Sequence, residues 1–185
     1  MRPFTWLLIL SSSLLLVASC AAPEPPASSF RPTASLRDVM HAMIEPQAYV
    51  IWDSVAEIID INGTTLRVPE TEDDWDVVRH GAIALREATN LVLMEGRPVA
   101  YPGETSVAPG VELEPEQIQA LIDADFTAWT ERVHELYDVV GLVFEAIDAR
   151  DGAALMAAGT EIDAVCESCH LTYWYPETME APEIQ

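Results

Sequence analysis

Between Pro115 and Arg150 the apolar residues Ile118, Ile122, Phe126, Trp129, Val133, Leu136, Val140, Phe144 and Ile147 recur at steps of three and four. That period lays them on one face of an α-helix. A strand, whose side chains alternate at every residue, would scatter them over both faces. The spacing predicts one helix over about 115–150, begun by Pro115 as a first-turn residue. Asp125 falls inside the apolar face, so it needs a hydrogen-bond partner or a place at the edge.

Three further stretches carry the same period. From about Ser35 to Ile61, Leu36, Met40, Met43, Val50, Ile51 and Ile58 share a face. Ser35 with Asp38 makes a capping-box start. Pro46 lacks an N–H and should kink or split this helix, and Asn62-Gly63 is a turn that ends it. From about Thr71 to Glu95 the stripe is Val78, Leu85, Ala88 and Val92, with Thr71 and Asp74 as cap and Gly96 as stop. From about Gly152 to Tyr173 it is Leu155, Ile162, Val165 and Cys169. The stretch Arg97–Glu114 holds three Pro and two Gly and reads as a long loop. No stretch shows a convincing strand period, and no internal repeat is seen. The expectation is an all-α, antiparallel four-helix bundle over residues 35–176. Trp52, Trp75 and Trp129 stand at core spacings within it.

The first 19 residues have an early Arg, an apolar run and then small residues, which is the shape of an export signal. Val17-Ala18-Ser19-Cys20 resembles the bacterial lipoprotein cleavage box, in which the Cys becomes the first mature residue and carries lipid. An ordinary signal cut nearby would leave Cys20 as a spare thiol. The apolar run is short for a bilayer-spanning anchor. Residues 20–34, rich in Pro, Ala and Ser, read as a tether, and residues 177–185 as a tail. The expected location is the periplasm, lipid-anchored through Cys20. No inner-membrane retention signal follows the Cys, which favours the outer membrane.

The formal net charge is −22. Such a surface repels phosphate backbones and anionic headgroups, which argues against nucleic acid. It suits a basic protein partner, or serves solubility alone.

Cys166, Cys169 and His170 form C-x-x-C-H. On a helix these positions span an arc of about 100°, so all three side chains face one way. Two thiols so placed can add to the two vinyl groups of a porphyrin while the His ligates its iron from the proximal side. A structural zinc site needs four ligands, and His41, His80 and His134 are scattered singles. A redox dithiol would open a helix in a βαβ setting rather than close an all-α chain. The three cysteines are also fully used: Cys20 for lipid, Cys166 and Cys169 for thioethers.

With its motif on the last helix, the stretch "VCESCHLTYWYP" resembles the cytochrome c prime superfamily, and "LRDVMHAM" resembles its first helix less specifically. The resemblance covers roughly Ser35 to Tyr175. It implies one haem c per chain, thioethers at Cys166 and Cys169, His170 as proximal ligand, and a first-helix residue on the distal side. Tyr173 matches an aromatic common three residues after the His. Trp174 stands where the family often has Arg, which leaves that cation's role unfilled.

A distal Met gives a six-coordinate, low-spin electron carrier. An apolar residue leaves the iron open to gases. Met40 aligns best, with Met43, His41 or an open site as alternatives. The implied function is single-electron transfer without substrate chemistry, to a redox partner protein. The other readings are a five-coordinate protein binding NO or CO, and a structural lipoprotein with a vestigial haem. Many members are homodimers; Pro46 in the first helix weakens that implication here.

Overall fold

A computed structural model describes residues 30–176. Cys20, the leader over 1–19, most of the tether and the tail over 177–185 lie outside the described residues. The chain is mostly helical. Its α-helices are α1 (Leu36–Val39), α2 (Glu45–Trp52), α3 (Glu72–Val92), α4 (Pro115–Ala124), α5 (Phe126–Ala149) and α6 (Gly152–Tyr173). Met40–Ile44 form a π-helical turn between α1 and α2. A small antiparallel sheet, β1 (Ala56–Asp60) and β2 (Gly63–Arg67), follows α2.

The helix starts are set by capping side chains. The Ser35 hydroxyl accepts from the Asp38 N–H at 3.1 Å, and the Asp38 carboxylate accepts from the Ser35 N–H at 3.0 Å. Thr71 and Asp74 repeat the exchange at α3. The Asp151 carboxylate accepts from the Ala154 N–H at α6. Each cap satisfies donors that have no partner inside the first turn.

The long helix expected over 115–150 is two helices. Asp125 is extended (φ −148°, ψ 79°), ends α4, and caps α5 by accepting from the Ala128 N–H at 2.9 Å. An aspartate competes with the helical backbone and gains more as a cap than in an interior. The apolar period continues on both sides of it, so periodicity alone conceals the break. Phe126, next to the break, is 44 % exposed as a result.

The first segment is also shorter than its stripe implied. It ends at Trp52, and residues 56–67 form a hairpin in which Ile59 faces Thr64 and Asp60 faces Gly63. The all-α expectation is corrected accordingly. Ile58, Ile59, Thr64 and Thr65 are β-branched and stiff, which favours pleated backbone over helix. Asn62-Gly63 is thus a hairpin turn rather than a helix stop, with Gly63 at φ 124°. Ile58 lies half-exposed on β1, not on a buried helix face.

Pro46 does not break the chain's helical course. The Glu45 N–H bonds to the Met40 carbonyl, five residues back, and Pro46 falls in the first turn of α2. A missing N–H costs little there. The wider π-turn just before it absorbs the mismatch.

α2 packs on α3 and α6, α3 on α5, and α5 on α6. Ile51, Leu85, Val140, Ile147, Leu155 and Ile162 are wholly buried between them. Gly81 lets α2 approach α3, since a Cβ there would lie 2.7 Å from Val50 Cγ1. Trp52 joins α2 to α6 by donating its Nε1–H to the Gly159 carbonyl at 2.9 Å. The hairpin is held at its base, where Val68 packs over Gly152 at the start of α6. All four stripe residues of α3 (Val78, Leu85, Ala88, Val92) are buried, as their spacing predicts.

Candidate functional site

The last turns of α6 carry Cys166, Cys169 and His170, all half-buried. An unbroken helix through Tyr173 places them on one arc, together with buried Tyr173. Tyr173 meets Trp129 of α5 edge-on, with ring centroids 4.9 Å apart. This contact aligns the start of α5 with the end of α6.

Burial pushes the Cys166 thiol up to about 11, helped by the nearby Asp163 carboxylate. Burial pushes Cys169 up to about 12, with Cys166 adding to the rise and Arg132 of α5 opposing it. Both sulfurs are therefore neutral thiols at pH 7. Zinc and nucleophilic chemistry need thiolates. A thioether carries no charge, so this environment accepts one without an electrostatic cost.

His170 is enclosed by aromatic rings. Trp174 meets it edge-on at 4.9 Å and Tyr175 lies 6.0 Å away. Tyr175 donates its hydroxyl to the Glu167 carboxylate at 2.6 Å. Burial holds the His170 pKa below its ordinary value, and the Glu167 and Glu45 carboxylates partly oppose that. Neither ring nitrogen of His170 forms a hydrogen bond among the described residues, so a neutral imidazole nitrogen is available as a ligand.

α2 packs on α6, and two contacts give its direction. Trp52 at the end of α2 bonds to Gly159, while Leu36, which precedes α2, lines one cavity with Trp129, whose ring meets Tyr173 near the end of α6. The two helices therefore run antiparallel. From the Trp52–Gly159 contact, Met40 lies 12 residues back and His170 lies 11 residues on. Each is about 17 Å along its own helix at 1.5 Å per residue. Met40 and His170 thus stand at the same end of the molecule.

The three first-helix candidates differ in environment. Met40 is half-buried and packs against the core. Met43, expected on the same buried face, is instead 40 % exposed. Bonding from residue i to i+5 widens the turn, so that Ile44 takes the buried position and Met43 falls off that face. His41 is exposed, with Nδ1 3.1 Å from the Glu45 carboxylate. His80 and His134 are exposed on α3 and α5. Trp75 and Trp129 are core residues, and Trp52 is half-buried.

Sequence reasoning missed Glu45 and Tyr175 as neighbours of His170. The aromatic run Tyr173–Tyr175 was a signal for the second; nothing in the sequence marked the first.

Among the described residues no group of three or more His, Cys, Asp and Glu side chains could together hold a metal ion. Cys166, Cys169 and His170 fan along one helix face rather than converging on a point. Haem attachment needs that spread, because the thiols bond to the ring's edge and the imidazole to its centre. The residues present fit a covalent haem: two neutral thiols, an imidazole with a free nitrogen, and a half-buried thioether at the same end. No helix among the described residues is long and apolar enough to cross a membrane. No protein-family model, curated protein or solved structure matches the chain.

Proposed function

We propose that this chain is a monohaem c-type cytochrome of the bacterial cell envelope, exported and lipid-anchored through Cys20, that carries single electrons. The helices α1–α2, α3, α5 and α6 form the four-helix bundle of a cytochrome-c-prime-like protein, with the hairpin and α4 as additions. The observation that carries this reading is the free imidazole of His170 beside two neutral thiols on one helix face, with Met40 at the same end of the antiparallel pair.

Cys166 and Cys169 would hold the haem through thioethers, His170 would ligate from the proximal side and Met40 from the distal side. The haem iron supplies a one-electron Fe(III)/Fe(II) couple. The protein's part is electrostatic and positional. Trp174 and Tyr175 restrict water around His170. A neutral imidazole paired with a thioether, rather than a charged ligand, favours the reduced state. The partner is a redox protein with a basic docking surface, drawn by the −22 net charge. The chain makes and breaks no substrate bonds.

The test is the absorption spectrum of the purified full-length protein. A low-spin ferric spectrum with a Met–iron charge-transfer band supports the electron carrier. A high-spin spectrum that responds at once to CO replaces it with a gas-binding protein. Absence of covalent haem sinks both.

A further inference from the structure

The segment Arg97–Val99 ties the start of α1 to two other helices. Leu36 donates its backbone N–H to the Pro98 carbonyl at 2.8 Å, and Arg37 donates to Val99 at 3.0 Å. These are first-turn donors that α1 cannot satisfy itself. The Val99 N–H in turn bonds to Gln119 Oε1 of α4 at 3.0 Å. Beneath them, the half-buried guanidinium of Arg97 donates to the Ala34 carbonyl just before α1, to the Leu91 carbonyl near the end of α3 at 2.7 Å, and to Met94 Sδ at 3.0 Å. One fixed, planar cation thus bolts the entry of α1 to the exit of α3.

The position of Met40 depends on that bolt. α1 is one turn long, and Met40 opens the π-turn that follows it. A four-residue helix running into a π-turn has little rigidity of its own. Packing fixes the chain after Met40 through buried Ile44, Ala48 and Ile51. Before Met40 it is fixed by buried Leu36 and Val39 and by the polar clamp.

We propose that Arg97 is the positioning residue that fixes where Met40 stands, an inference that rests on Met40 being the distal ligand. It does so by fixing where α1 begins. The charge-assisted bonds to two backbone carbonyls resist the small outward slide that would detach a thioether ligand.

The experiment compares full-length holoprotein carrying Arg97→Gln or Arg97→Lys with the wild type and with Met40→Ala. Two quantities are read: the ferric Met–iron charge-transfer band per covalently attached haem, and hydrogen exchange at the Leu36–Met40 amides. Arg97→Gln should lose at least half of the band and speed exchange at those amides about tenfold, leaving the α5 amides unchanged. Arg97→Lys should restore part of both. A lower melting temperature with a full band in Arg97→Gln would mean a merely structural role and overturns the proposal. So does unchanged exchange at Leu36 and Arg37. If Met40→Ala leaves the wild-type spectrum intact, it is the Met40 reading that fails, and this inference fails with it.

Discussion

Trp52 donates its indole N–H to the Gly159 carbonyl, 107 residues away, and so fixes the level at which α2 crosses α6. Gly159 is what allows the approach: a Cβ there would lie 3.2 Å from Trp52 Cδ1. That crossing sets how far Met40 and His170 stand from each other along the bundle. Trp52→Phe keeps an aromatic ring but removes the second donor to the Gly159 carbonyl, at a buried position of α6. It should cost about 1 kcal/mol and lower the melting temperature by roughly 2–5 °C. Thermal unfolding followed by circular dichroism checks it.

Met40 and Met43 make a matched pair of replacements. Met40→Ala should convert a low-spin ferric spectrum to high-spin and open the reduced protein to CO. Met43→Ala should leave both unchanged, since Met43 is exposed. Optical spectra with and without CO decide, and an effect of Met43 alone would reverse the assignment.

The thiols give a pH prediction for the chain before anything is attached to it. With Cys166 pushed up to about 11 and Cys169 to about 12, alkylation by iodoacetamide should be slow at pH 8 and accelerate only above pH 10. The unfolded thiol ionises near 8.5. Above that pH the unfolded state holds fewer protons than the folded one. Stability should therefore be level below about pH 8 and fall as pH rises toward 11. Chemical denaturation at a series of pH values tests the sign, and a rise in stability over that window would contradict the burial of these sulfurs.

Asp125→Ala removes the cap of α5 and should cost about 1 kcal/mol. Asp125→Asn, which keeps an acceptor, should recover most of it. Denaturant midpoints of the two variants separate capping from charge.

The sequence announced most of this fold through period and caps. Ser35 and Thr71 mark helix starts correctly because a capping side chain bonds within three residues, a purely local event. The α3 stripe is buried throughout because nothing interrupts its turn geometry. Two breaks escaped notice for opposite reasons. At Asp125 the apolar rhythm runs on across the interruption. At Ala56–Arg67 the rhythm fits a helix as well as a hairpin, and β-branching decides. Of the candidate site, Cys166, Cys169 and His170 were legible as a motif on one turn of helix. The pull of the Glu45 carboxylate on His170 was not, since it depends on how α2 crosses α6.

The hairpin's attachment has a practical side. It is anchored by Val68 over Gly152, 18 residues of α6 or roughly 27 Å from His170. Its tip, Ile61, is fully exposed. The Ile61–Asn62 turn is therefore a handle at the far end of the molecule. A surface-binding peptide inserted there would present the His170 end outward, so the protein could be mounted on an electrode in a single orientation.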